Sequence, residues 1–205
     1  MRYGIVLALL VVASAVRAFT VDIDAALTDE VKKKLDKREA VVCKNKIEDK
    51  GEKVVSNSAA MIVINASVEK TWPYFTDFEK FPEYIPRMVS SEKYTEKDGK
   101  IGIKQMLKVM WKKVTYHVLQ LNDEAHHTMT FELDKSQQND VAETNGQWVL
   151  RPYGEGKTLA VYSLGLDTGM AVPRFIQTML LSSDLPATME AMRDRVESGG
   201  KYVKK

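Results

Sequence analysis

The chain has 205 residues, 44% of them hydrophobic, with 30 Lys and Arg against 28 Asp and Glu and a single cysteine. Signs so evenly interspersed leave no electrostatic footprint for nucleic acid, and one cysteine excludes an intramolecular disulfide. Packing must therefore hold the fold, and the length is within reach of one domain with its own core.

Residues 1–18 read as a secretory signal peptide. Arg2 supplies a short positive start, residues 5–16 are apolar or small, and Val16-Arg17-Ala18 puts a small residue where the peptidase needs one. The run falls short of the roughly 20 apolar residues of a membrane helix. Arg17 beside the cut is atypical and keeps an uncleaved anchor as the alternative. Cleavage after Ala18 predicts a mature chain of 187 residues in the periplasm or outside the cell. It removes Arg2 and Arg17 and no acid, which leaves 28 basic and 28 acidic side chains. The full-chain pI near 8.5 therefore overstates how basic the working protein is.

Residues 19–53 read as a leading arm. Leu27, Val31 and Leu35 recur four apart on one helical face after a start at Thr28-Asp29-Glu30. Ala40-Val41-Val42-Cys43 follows as a short strand, with Cys43 an ordinary half-buried residue rather than a reactive thiol, and Asp49-Lys50-Gly51-Glu52 as a turn. The main domain, residues 54–200, opens with strand Met61-Ile62-Val63-Ile64. Ser67 caps a helix carrying Trp72, Phe75 and Phe78, with Pro73 early enough to be tolerated. A second short helix runs from Asp77 to a stop at Pro86.

From Met88 the apolar period changes to two. Residues 89–95 form a strand and Asp98-Gly99 a tight turn. Ile101, Ile103, Leu107, Val109 and Trp111 then share a long strand, and Lys112-Lys113 mark the next turn. Thr115, His117, Leu119 and Leu121 alternate on the following strand, Asn122-Asp123-Glu124 turn the chain, and His127, Met129, Phe131 and Leu133 follow on one face. A polar loop at 134–140 precedes the strand of Trp148 and Leu150. Gly154-Glu155-Gly156 turns into a last strand at 158–166. Residues 172–197 read as a long helix that Pro186 kinks or splits. Lys32-Lys33-Lys34 and the basic tail 201–205 read as solvated ends, with transient membrane-surface contact as their functional alternative. The order implies an α+β fold: a curved antiparallel sheet with one face covered by the long C-terminal helix and an apolar space between them.

Ala66-Ser67-Val68-Glu69-Lys70-Thr71-Trp72, followed by Thr76-Asp77-Phe78-Glu79-Lys80-Phe81-Pro82-Glu83-Tyr84-Ile85-Pro86, resembles the opening of the START-like (SRPBCC) superfamily. The resemblance is to its polyketide cyclase/dehydrase and coenzyme-Q-binding Coq10-like branch. Gly146-Gln147-Trp148-Val149-Leu150-Arg151-Pro152, with Gly156-Lys157-Thr158, Tyr162 and Asp167, resembles that branch's penultimate hairpin. The resemblance spans roughly residues 54–197. It implies the helix-grip fold and a hydrophobic cavity for a lipid, quinone, sterol or polyketide-like ligand, on a fold that hosts carriers and enzymes alike.

Chemistry is sparse along the chain. His126 and His127 are adjacent and on a strand would point to opposite faces, and no Cys or His recurs at zinc-ligand spacing. Ser163 has no nucleophile elbow around it, Gly154-x-Gly156 is a hairpin turn rather than a phosphate loop, and no motif asks for a cofactor or a metal. Asn65-Ala66-Ser67 matches a glycosylation sequon but also fits a helix cap. Met106, Met110, Met129, Met170, Met179, Met189 and Met192 are many for one domain and suit an adaptable apolar pocket as well as a core.

These readings place Ile103, Leu107, Met129, Phe131, Phe175 and Met179 near the cavity and Trp72, Phe75, Phe81 and Tyr84 at its mouth. His117, if it faces inward, orients a polar ligand head. The leading expectation is a non-enzymatic exported carrier for an apolar small molecule. A cyclase or dehydratase using His117, and an interaction module with a vestigial cavity, are the alternatives.

Overall fold

The computed structural model describes residues 18–49, 54–169 and 183–205. Two short helices, α1 (Ile23–Ala26) and α2 (Asp29–Asp36), lead into strands β1 (Val41–Asp49) and β2 (Val54–Ile64). Helix α3 (Val68–Thr76), a 3₁₀ turn at Phe78–Lys80 and α4 (Phe81–Tyr84) follow. Strands β3 (Met88–Lys97), β4 (Lys100–Val109), β5 (Lys112–Asp123), β6 (Thr128–Leu133), β7 (Glu143–Pro152) and β8 (Thr158–Asp167) then meander, and α5 (Leu185–Glu197) ends the chain. The eight strands make one antiparallel sheet in the order β1-β2-β8-β7-β6-β5-β4-β3. Register shifts at Val42/Lys44, Met88/Ser90 and Lys93/Thr95 insert extra residues near its two edges, where bulges bend a strand and add twist. The expected α+β helix-grip architecture, a curved antiparallel sheet around a C-terminal helix, is the one observed.

Strand β2 explains the two-sided core. Residues 59–64 are buried without interruption. Ala60, Ile62 and Ile64 face Leu185, Met189, Met192 and Val196 of α5. Met61 and Val63 face the opposite way and meet Leu35 of α2 together with Val41, Leu159 and Val161. A strand covered on both faces loses polar alternation and reads as a continuous apolar run. The arm thus has two tasks: its helices cover the outer face of the sheet, and its strand β1 pairs with β2 along the sheet edge.

Several local readings change on contact with the structure. Ser67 sits in extended conformation at the start of α3 but makes no side-chain cap bond; its hydroxyl favours the charged form of the Glu69 carboxyl, which is held below its ordinary range. Pro73 falls inside α3 rather than in its first turn. The expected turn at Lys112-Lys113 is displaced: both lysines belong to β5, and the reversal occurs at Met110-Trp111, where Met110 takes a positive φ of 56°. Pro186 lies in the first turn of α5, where its missing N–H costs nothing; the upstream part of the predicted helix lies outside the described residues. The basic tail is partly docked. Lys204 Nζ donates to the carbonyls of Ile85 (2.9 Å) and Met88 (2.6 Å), and burial lowers its pKa.

Candidate functional site

Side chains alternate across a strand, so one residue in two faces inward. Gln105, Leu107 and Val109 of β4, Val114, Tyr116 and Val118 of β5, and Tyr162, Leu164 and Leu166 of β8 all obey that parity. With Phe131, Trp148 and the α5 residues Leu185, Thr188 and Met192, they enclose a cavity of about 730 Å³. That size lies within the ~300–1,000 Å³ typical of small-molecule sites, and the mostly apolar lining with a few polar groups is typical too. Phe81, Ile85 and Met88 border it on the α4 side.

Polar groups enter the lining sparingly. Gln105 Nε2 donates to Ser91 Oγ (3.3 Å) and Gln120 Nε2 to Asn122 Oδ1 (2.8 Å), so both amides are anchored. The charged lining residues are Arg87, Lys112, Asp140 and Asp184. Arg87 Nε reaches Asp184 Oδ2 at 2.5 Å and ties the entry to β3 to the start of α5. Tyr116 and Tyr162 present phenols to the cavity, and burial pushes both hydroxyls above the usual phenol range. Phe131 reaches the cavity because residue 146 is glycine: a Cβ there would stand 2.8 Å from the Phe131 ring and 2.0 Å from the Ser163 carbonyl oxygen.

A second pocket of about 280 Å³, bordered by Tyr74, Asp77, Lys80, Tyr84, Arg195, Gly199 and Gly200, is smaller and polar. Its guanidinium is already engaged by Glu83 Oε2 (2.5 Å) and the Tyr202 carbonyl (2.7 Å). Among the described residues, no group of three His, Cys, Asp or Glu side chains is placed to hold a metal ion.

The predicted site residues divide. Phe81, Leu107 and Phe131 line the cavity. Trp72, Phe75, Tyr84 and Met129 are buried instead in the core beneath α5. Ile103 is fully buried behind Phe78 and Val118. Phe175 and Met179 lie outside the described residues.

His117 faces the other side of the sheet. Its backbone N–H donates to Asn139 Oδ1 (2.7 Å), its Nδ1 lies 3.2 Å from the same oxygen, and its ring meets Tyr94 edge-on at 5.4 Å. The phase of β5 was misread because Leu119 and Leu121 share the His117 face, yet Leu121 is 45% exposed there. Tyr94 can fold over this outer face because Gly102 beneath it has no Cβ; one there would approach the ring to 2.6 Å. Lining residues that sequence reasoning missed include Tyr116, Val118, Tyr162 and Leu164. The even-numbered alternation Val114, Tyr116, Val118 was the signal for the first two.

At the β4–β5 tip, Trp111 is 82% exposed and Met110 40% exposed, and both border the cavity. Lys108, Lys112 and Lys113 flank them, all exposed.

A family model described as "Polyketide cyclase / dehydrase and lipid transport" matches residues 55–197. No curated protein matches the chain. Solved structures share the fold at low identity. The Zhui aromatase/cyclase from a Streptomyces species is 14% identical with TM-score 0.61, over 70% of this chain and 94% of that one. A START superfamily protein from Mycobacterium smegmatis is 20% identical with TM-score 0.58, over 72% and 99%. A STAR-related lipid transfer protein from Xanthomonas axonopodis is 14% identical with TM-score 0.54, over 74% and 98%. With the match covering most of its length, the chain belongs to the polyketide cyclase/dehydrase and lipid transport family.

Proposed function

We propose that the chain is an exported carrier that holds an apolar small molecule, of lipid, quinone, sterol or polyketide-like class, in the cavity between the sheet and α5. The observation that carries this reading is the cavity itself: about 730 Å³ of space lined mainly by apolar side chains from the inner face of the sheet and α5. Each 100 Å² of apolar ligand surface moved there from water contributes about 2.5 kcal/mol, offset by the cost of immobilising the ligand. The cyclase alternative used His117 as its acid or base, and that ring points away from the cavity onto Tyr94 and Asn139. Native mass spectrometry of the exported protein, followed by solvent extraction, tests the reading. An apolar molecule released in stoichiometric amount supports it. A protein that stays empty after exposure to a total lipid extract contradicts it.

Loading requires that the ligand leave a membrane without crossing water. The β4–β5 tip suits that step: Trp and Met project beside the cavity between lysines, a composition matched to the interfacial zone of an anionic bilayer. The contact is assigned to this tip rather than to the basic tail, because Lys204 is engaged with Ile85 and Met88.

Export rests on the sequence of residues 1–18, and one contact fits it. The Phe19 backbone nitrogen donates to Asn145 Oδ1 at 2.8 Å, and the Phe19 side chain lies against Gly165. An amino terminus created by cleavage after Ala18 would present its ammonium to the same acceptor. Edman sequencing of the exported protein should begin at Phe19, and an intact residue 1 in the membrane fraction contradicts the assignment.

A further inference from the structure

The tyrosines of this protein use their hydroxyls in two ways. Tyr84 donates to the Tyr74 carbonyl (3.2 Å), Tyr94 to Asp134 Oδ2 (2.6 Å) and Tyr153 to Asp36 Oδ1 (3.3 Å). The hydroxyls of Tyr116 and Tyr162, which project from β5 and β8 into the same cavity, make no hydrogen bond among the described residues. Both rings are nevertheless held. Tyr162 lies flat against Trp148 and beside Phe131, and Tyr116 packs against the cluster of Phe78, Ile103 and Val118. Their hydroxyls are accessible from the cavity rather than sealed in the core, and fixed donors facing a mostly apolar space define where a ligand oxygen sits.

The charge of that oxygen follows from the surroundings. Among the described residues the lining cations are Arg87, which is paired with Asp184, and Lys112. Lys112 is exposed and precedes Tyr116 by four residues, about 13 Å along an extended strand. Two acids, Asp140 and Asp184, also line the space. The described residues place no unpartnered cation beside the phenols for an anion to meet, whereas a neutral acceptor needs none. The phenols themselves stay protonated: burial raises both, and a charge on Tyr116 would raise Tyr162 further. They are donors throughout the neutral range.

We propose that Tyr116 and Tyr162 each offer a donor to a neutral carbonyl oxygen on the buried part of the ligand. The cavity thereby selects apolar molecules carrying a ketone, quinone-type or ester carbonyl over equally apolar molecules without one, and over carboxylates. This deepens the carrier reading and rests on it.

The test is a binding cycle by equilibrium dialysis with fluorenone and fluorene, which share one shape and differ by a carbonyl. Each is measured on the wild type and on the Tyr116→Phe/Tyr162→Phe double variant, which keeps both rings and so keeps the packing. Fluorene should bind both proteins equally. The ratio of fluorenone to fluorene affinity should fall by roughly 2- to 50-fold in the double variant, as expected for one or two neutral hydrogen bonds to the carbonyl. Fluorene-9-carboxylate should bind the wild type more weakly than fluorenone. An unchanged ratio with both ligands bound overturns the carbonyl inference and leaves the cavity reading standing, as does tighter binding of the carboxylate. Failure of both neutral ligands to bind the wild type overturns both.

Discussion

The indole of Trp148 lies flat on the ring of Tyr162, with 4.0 Å between centroids and 3° between planes. The two are direct partners in the β7–β8 register, so the stack joins adjacent strands on the cavity side of the sheet. Phe75 of α3 meets the same indole edge-on at 5.1 Å and 81°. The helix after β2 is thereby coupled to the wall that holds Tyr162.

Trp148→Ala should cost about 3 kcal/mol of stability, as large-to-small changes at packed aromatics do, and should loosen the Tyr162 ring. Trp148→Phe retains the stack and should recover most of that loss. Urea denaturation of the three proteins measures it; equal midpoints for wild type and Trp148→Ala would remove the stack from the account.

Trp111→Ala should leave the folded protein as stable as the wild type, because the side chain is 82% exposed. It should weaken sedimentation with vesicles containing anionic lipid by roughly tenfold. Unaltered vesicle binding would show that the β4–β5 tip is not the contact.

Asp134 carries an acid-side signature. Its own burial pushes the carboxyl up, but hydrogen bonds from Ser136 (Oγ at 2.6 Å, N at 2.9 Å) and Tyr94 (2.6 Å) outweigh that and hold it below its ordinary range. With the native pKa depressed, the unfolded chain takes up the proton first as pH falls. The contribution is therefore complete above the unfolded value of about 4 and is lost as pH drops through the lowered native value. Asp134→Asn should cost about 1 kcal/mol at pH 7 and should lose less stability than the wild type on going from pH 5 to pH 3. Parallel pH curves for the two proteins contradict this.

How much of this was legible in the sequence can be judged element by element. The switch of apolar period at Met88, the turns at Asp98-Gly99 and Gly154-Glu155-Gly156, and the apolar run into Ile64 all mark real boundaries, because turn chemistry and two-sided burial leave local traces. The phase of β5 left none. Thr115, His117, Leu119 and Leu121 alternate as convincingly as Val114, Tyr116 and Val118, and only the pairing of Val114 and Tyr116 with Leu107 and Gln105 of β4 decides which set faces the helix. Placing the turn two residues late shifts the register but not the parity; the odd-numbered alternation of β5 puts His117 in the cavity, whereas the even-numbered one pairs with the inward Leu107 and Gln105 of β4. The sequence reading places Trp72, Phe75 and Tyr84 at the cavity mouth and Met129 near the cavity, whereas they lie in the core, because an apolar side chain packed beneath a helix and one beside a cavity share the same sequence signature. Only the space between elements distinguishes them.

The central claim is that the cavity binds an apolar ligand, and filling the cavity tests it most directly. Leu107 and Leu164 line it from β4 and β8. The measurement is titration of wild type and of Leu107→Trp/Leu164→Trp with a neutral probe whose emission rises in apolar surroundings, N-phenyl-1-naphthylamine, with the fold checked by circular dichroism. The account predicts saturable binding to the wild type and at least tenfold weaker binding to the folded double variant. Equal binding by both, or no saturable binding by the wild type, would contradict it.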